Sequence, residues 1–298
     1  MGSLFKQIYR YTHSREFRHN ENLWPHITIT RAPEGHIASI SYKKKNINIE
    51  DLSKLKGTLN VPLSIIATGP SVKDLTLSKL SGMSTLGVNG AYTLMGSINF
   101  DYYVIVDRGF VEKKPELVSA ILANKGLILF TTVLCLNEML KFVTVENISC
   151  RLAIVEDIRY RIFDKSIPSN KCADFFSGCA DFLFDSKNKH IGYSKDIRKG
   201  IVDAGTVTYW ALQIAFYLGG KDIFIAGLDM NNFSKPRFYE DEANKLPSFL
   251  AGNYETLIYP SFLYASGIMK DENCKVYNLS LNSALGDEVF KRISIDEV

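Results

Sequence analysis

Short apolar runs alternating with helical periodicity organise the chain from residue 61 onward. Pro62-Leu63-Ser64-Ile65-Ile66-Ala67 is almost continuously apolar. That is the pattern of a strand buried on both faces of a parallel sheet. Gly69 and Pro70 break it, and Ser71 stands where it would cap a helix over 72–80. Further strands are predicted at 85–88, 102–106, 126–130, 152–155, 223–226 and 275–277. Between two of these, Val207, Trp210, Ala211, Ile214, Ala215 and Leu218 fall on one face of a helix over 205–218, which Gly219-Gly220 should end. The expectation is an α/β protein: a Rossmann-like, doubly wound, mostly parallel sheet.

Residues 1–60 break this pattern and read as an appendage ahead of the main domain, 61–298. They begin basic and aromatic, with Phe5, Tyr9, Arg10, Tyr11, Arg15, Phe17 and Arg18. Two alternating stretches follow, His26-Ile27-Thr28-Ile29-Thr30 and His36-Ile37-Ala38-Ser39-Ile40-Ser41-Tyr42. Pro33-Glu34-Gly35 supplies turn chemistry between them, so a β-hairpin is predicted. Lys43-Lys44-Lys45 is either a solvated strand end or a contact for anionic lipid or glycan phosphate.

The chain of 298 residues, 46% hydrophobic, is long enough for one large domain with ample core. A formal charge of +3 is too small to point to nucleic acid. No apolar run approaches the roughly 18–20 residues of a membrane span, and the start lacks a signal-peptide pattern. The five cysteines are odd in number and form no CxxC pair. Reduced thiols in the cytoplasm are expected rather than a disulfide framework or a metal site.

Ligands of open α/β sheets collect beyond the carboxyl ends of the strands. Small and polar residues recur there: Thr68, Gly69, Pro70 and Ser71; Asn89 and Gly90; Asp107 and Arg108; Gly227 and Asp229; Asn278, Ser280, Asn282 and Ser283. Several such ends on one sheet imply a shared polar cleft. Thr68-Gly69-Pro70-Ser71 is neither a Walker loop nor a GxGxxG fingerprint, but its amides can still meet an anion. The chain contains no Asp-x-Asp pair. A donor with a nucleoside monophosphate leaving group, stabilised by Arg, Tyr and backbone groups, needs no cation.

Ile66-Ala67-Thr68-Gly69-Pro70-Ser71-Val72-Lys73 with Val88-Asn89, the stretch 223–229, and 276–283 resemble the bacterial sialyltransferases of the Campylobacter type. A closer resemblance is to the lipopolysaccharide-core transferases that add a third, branching 3-deoxy-D-manno-octulosonic acid (Kdo). It is carried by Gly192-Tyr193-Ser194-Lys195-Asp196-Ile197, Gln213-Ile214-Ala215, Gly227-Leu228-Asp229, Arg237-Phe238-Tyr239 and Tyr277-Asn278-Leu279-Ser280. The resemblance implies a single Rossmann-like, GT-A-like domain with a lid at about 230–255. It also implies a CMP-activated acidic sugar as donor, without a further cofactor or metal. By the same resemblance Thr68, Gly69, Pro70, Ser71 and Asn89 would line the cytidylate site, and Gly205 and Thr206 would sit by the phosphate or the donor carboxylate. Gly227 and Asp229 would lie by the nucleotide, Arg237 and Tyr239 would steady the leaving phosphate, and Asn282 and Ser283 would close the site.

One departure from the sialyltransferases matters. They carry a catalytic histidine after the lid, whereas the last histidine here is His190, which reads as a surface-loop residue. The general base is then expected to be a carboxylate with a raised pKa. Asp107 is the first candidate, with a helix cap or a salt bridge to Arg108 as its ordinary alternative. Glu240 and Asp241 in the lid follow. The expected activity is Kdo transfer from CMP-Kdo to lipopolysaccharide, independent of metal. The enzyme would lie at the cytoplasmic face of the inner membrane, touching it peripherally. A CMP-sialic acid transferase, a pterin pyrophosphokinase-like enzyme using ATP and magnesium, and a non-catalytic nucleotide-binding protein are the competing readings.

Overall fold

Alternation of buried and exposed positions folds the segment after residue 26 into a three-stranded antiparallel sheet. Its strands are β1 (Ile27–Arg31), β2 (Ile37–Tyr42) and β3 (Lys45–Ile47). The predicted hairpin thus gains a third strand. Lys43 and Lys44 take left-handed φ values of 48° and 67° and turn the chain back, so the lysine run is a turn plus a strand start. An amphipathic helix, Gly2–Thr12, precedes the sheet. The computed structural model describes residues 2–231 and 233–298.

Seven of the strands that follow lie where apolar runs predict them. They are β4 (Leu63–Ile66), β5 (Ser84–Val88), β6 (Tyr102–Ile105), β7 (Ile128–Thr131) and β8 (Arg151–Ile154), then β11 (Asp222–Ala226) and β12 (Lys275–Asn278) after the small hairpin β9 (Phe182–Phe184) and β10 (Gly192–Ser194). With β13 (Lys291–Arg292) they form one sheet in the order β13-β12-β11-β4-β5-β6-β7-β8, every pair parallel. All residues of β4 and β7 are buried, as a sheet covered on both faces requires.

One face packs on the helices Val207–Leu218 and Tyr259–Asp271, through Trp210, Ile214, Phe262 and Ala265. The other packs on Arg108–Lys113, Pro115–Leu122 and Val133–Met139. Ile27, Ile37 and Ile40 of the N-terminal sheet, with Leu23 ahead of it, join this same second core with Ile66 and Ile154. Each such fully buried isoleucine contributes roughly 2 kcal/mol. Gly219 closes the helix Val207–Leu218 in the left-handed conformation, at φ 103°, the stop expected of it.

The helix expected over 72–80 is instead two 3-10 turns, Pro70–Asp74 and Leu77–Leu80. Gly69 rather than Ser71 occupies the N-cap position. The reason is local: the amide and hydroxyl of Ser71 both point at Asp229 and cannot cap the following turn. The chain runs outward from β4 to β8, then returns to β11 on the other side of β4. The switch point of the sheet therefore lies between β4 and β11, where a ligand cleft is expected.

Candidate functional site

The carboxyl ends of β4 and β11 meet directly. The Gly69 amide donates to the Gly227 carbonyl at 3.0 Å, and Asp229 accepts from the Ser71 amide at 2.9 Å. The Ser71 hydroxyl also donates to Asp229 and lies 2.8 Å from the Ser280 hydroxyl. A Cβ on Gly69 would lie 2.5 Å from both Asp229 Oδ2 and the Gly227 oxygen, so only glycine lets the two strand ends approach this closely. Gly227 has φ 76°, a conformation that disfavours a side chain.

Around this junction lies a cleft of about 790 Å³. Thr68, Gly69, Pro70, Asn89, Gly205, Thr206, Gly227, Asp229 and Arg237, all anticipated from the sequence, line it together with Asp107. The side-chain oxygen of Asn89 is buried without a partner among the described residues, an acceptor for a donor group in the cleft. Thr206 stands extended at the N-cap of Val207–Leu218 and makes no side-chain capping bond. The start of that helix, Gly205 to Thr208, lines the cleft, and a helix N-terminus favours anions.

Six anticipated residues lie outside the cleft lining. Ser71 is spent on Asp229. The Tyr239 ring covers Gly90, where a Cβ would come within 2.1 Å of it, and burial raises its phenol pKa. Glu240 is buried and accepts from the Arg237 guanidinium at 2.9 Å and the Arg237 amide at 3.0 Å. Asp241 is exposed and caps a turn through the amides of Ala243 and Asn244. Asn282 is exposed, its carbonyl taken by Asn231. The Ser283 hydroxyl donates to the Leu228 carbonyl at 2.6 Å. Asp107 remains at the rim, but it caps Arg108–Lys113 by accepting from the Gly109 amide at 2.8 Å. His190 lies in an exposed turn, 3.3 Å from the Thr256 carbonyl, and does not line the cleft.

The end of β8 adds two acids to those the sequence pattern singles out. Val155-Glu156-Asp157 follows that strand, and Asp157 is half-buried in the cleft wall. Burial, then the nearby carboxylate of Asp203, raises its pKa from 3.8 to about 7. Its Oδ1 accepts from the Arg159 amide at 2.7 Å, and its backbone bridges to Ile201. Asp203 also lines the cleft and accepts from Trp210 Nε1 at 2.7 Å. Glu156 is held by Arg31 of β1, whose guanidinium donates to its two carboxylate oxygens at 2.5 and 2.9 Å. The rule that selected the other strand ends, applied to 152–155, would have found both acids.

The segment from Met230 to Phe249 forms no helix or strand among its described residues. It is tied across the end of β4 by the Phe238 amide, which donates to the Thr68 carbonyl at 3.3 Å. Lys235, Arg237, Lys245 and Leu246 bring it to the cleft. Arg108 and Lys235 line the cleft without a hydrogen bond or ion pair among the described residues. The site thus combines two helix starts, unspent cations and an acid that titrates near neutrality.

A switch-point cleft with these groups, on a parallel sheet, is a site for an anionic ligand on an α/β fold, and the family match makes the chain a glycosyltransferase. Residues 46–295 match the model of the family 3-deoxy-D-manno-octulosonic acid transferase WaaZ, and the chain belongs to that family. A probable 3-deoxy-manno-octulosonic acid transferase of Salmonella typhimurium is 26% identical over 241 residues, spanning 78% of this chain and 87% of its own. One of Escherichia coli is 32% identical over 112 residues, and that match spans only 38% of each chain. Among solved structures, the sialyltransferase CstII from Campylobacter jejuni in complex with cytidine-5'-monophosphate is similar at a TM-score of 0.42 and 14% identity. That match covers 79% of this chain and 86% of that one. Family membership sets aside the pterin pyrophosphokinase-like and non-catalytic readings.

Proposed function

We propose that the protein transfers Kdo from CMP-Kdo to an inner-core sugar of lipopolysaccharide, at the cytoplasmic face of the inner membrane and without a metal ion. The observation that carries the reading is the cleft of this family member itself. Its wall holds a carboxyl group whose pKa is raised to about 7, together with a helix start and cations that are unpaired among the described residues.

In this reading Asp157 replaces Asp107 as the base. An acceptor hydroxyl gives its proton to the Asp157 carboxylate as its oxygen bonds to the anomeric carbon. The bond from that carbon to the phosphate oxygen breaks, and the electron pair leaves with CMP on the face opposite to attack, giving inversion. The donor carries two anionic groups, the sugar carboxylate and the phosphodiester. Arg108 and Lys235 supply charge for them, and the amides at the start of Val207–Leu218 supply hydrogen bonds. The leaving group is a monophosphate, which these groups can neutralise without a divalent cation. The unpartnered Asn89 oxygen can accept from the amino group of cytosine or from a ribose hydroxyl. The irregular 230–249 segment acts as a lid that excludes water, since hydrolysis of the donor is the competing reaction.

A CMP-sialic acid donor is the second reading, because both donors present a carboxylate beside the anomeric carbon. CMP release with each donor and an inner-core acceptor separates them. Turnover with CMP-Kdo at least tenfold above CMP-sialic acid supports the proposal, and the reverse order contradicts it.

A further inference from the structure

The outward face at the start of the chain takes no part in the cleft, yet it has a distinct composition. One side of the helix Gly2–Thr12 is used for packing. Phe5 meets Trp24 at 5.9 Å and His26 at 5.6 Å, and Tyr9 is buried 6.1 Å from Trp24. The other side exposes Leu4, Ile8 and Tyr11, at 61%, 38% and 92% of their surface. Their spacing puts them on a single ridge. The helix contains no acidic residue.

The lysine turn is joined to the packed side of this helix through His26. The Lys43 amide donates to the His26 carbonyl at 2.7 Å, and His26 is the residue Phe5 packs against. Lys45 pairs with Glu146, but Lys44, Arg15 and Arg18 are exposed and make no side-chain ion pair or hydrogen bond among the described residues. The N-terminal segment therefore carries an apolar ridge and, besides Lys6 and Arg10 that share Glu21, exposed cations without a side-chain partner among the described residues. The same corner adjoins the cleft: the His19 ring meets Tyr160 edge-on at 5.6 Å, and Tyr160 lines the cleft.

We propose that the Leu4, Ile8 and Tyr11 ridge with the Lys43-Lys44 turn is a docking face for an anionic phospholipid bilayer, holding the cleft rim against the membrane that carries the acceptor. The inference rests on the reading that the acceptor is lipid-linked. The face precedes residue 46, where the family match begins. Charge selects the occupant. Two copies meeting through this ridge would bring like charges together, whereas anionic headgroups neutralise them while the ridge enters the apolar layer.

Sedimentation of the full chain with phosphatidylglycerol-containing vesicles and with phosphatidylcholine vesicles tests this. The protein should pellet with the anionic vesicles and lose binding as salt is raised. The double variant Lys43→Gln/Lys44→Gln should bind them roughly 30-fold more weakly, given the attraction per basic residue at such a surface. Leu4→Ser/Ile8→Ser/Tyr11→Ser should stay in the supernatant. Both variants should release CMP from CMP-Kdo with a soluble acceptor at the wild-type rate, a readout independent of vesicle binding. Wild type that ignores anionic vesicles, or a ridge variant that still pellets, overturns the inference. So does light scattering that shows a wild-type dimer dissociated by the ridge substitutions.

Discussion

Replacing Asp157 by Asn separates the chemical role of the cleft acid from its structural cost. Asn keeps the shape and an acceptor for the Arg159 amide but cannot take a proton. Loss of a general base costs about 10²- to 10⁴-fold in rate. In the wild type, kcat should rise with pH through an inflection near 7, where Asp157 gives up its proton. The variant should lack that inflection. Stability should move the other way. The fold holds this carboxyl group protonated, raising its pKa from 3.8 to about 7. The stabilisation of the protonated form is complete below pH 3.8 and lost as pH rises through 7. A displacement of about three pH units sets a ceiling of about 4 kcal/mol on that loss. Asn behaves as the permanently protonated form. The variant should therefore match the wild type in melting temperature near pH 4 and exceed it at pH 8. Asp107→Ala, by contrast, should cost about 1 kcal/mol of stability as a lost helix cap and less than tenfold in rate. CMP-release kinetics and thermal unfolding across pH 4 to 9 read both effects. The reasoning fails if Asp157→Asn retains the wild-type rate, or if the wild-type pH profile is flat around neutrality.

Other perturbations reach the rest of the site. Gly69→Ala places a Cβ 2.5 Å from Asp229 Oδ2 and must push apart the ends of β4 and β11. Titration calorimetry should show CMP affinity at least roughly tenfold weaker, a loss of about 1.4 kcal/mol. Arg31→Met leaves the buried Glu156 carboxylate without the guanidinium that holds it. That should destabilise the chain by about 3 kcal/mol, seen as a lower urea midpoint with an unchanged slope.

The sheet was legible because a parallel strand covered on both faces must be a short apolar run, and 63–66, 223–226 and their neighbours are such runs. Strand β13 was not, because Lys291–Arg292 is two charged residues paired only along one edge with β12. The cleft was legible through its strand ends, since small residues such as Gly69 and Gly227 mark backbones that approach closely. The acid was not. What distinguishes Asp157 from Asp107 is the company of Asp203 and the bridge to Ile201, contacts between distant segments. Glu240 shows the complementary case: it looks free along the chain, but the fold buries it under Arg237.

The central claim is that this cleft moves Kdo from a cytidylate to a sugar hydroxyl by the chain's own groups. Mass spectrometry of an inner-core acceptor after incubation with the purified protein and CMP-Kdo, in excess chelator, tests it most directly. The account predicts one added Kdo residue per acceptor, formed in step with CMP and at the same rate as without chelator. An acceptor left unmodified, or modified only when a divalent cation is restored, would contradict it.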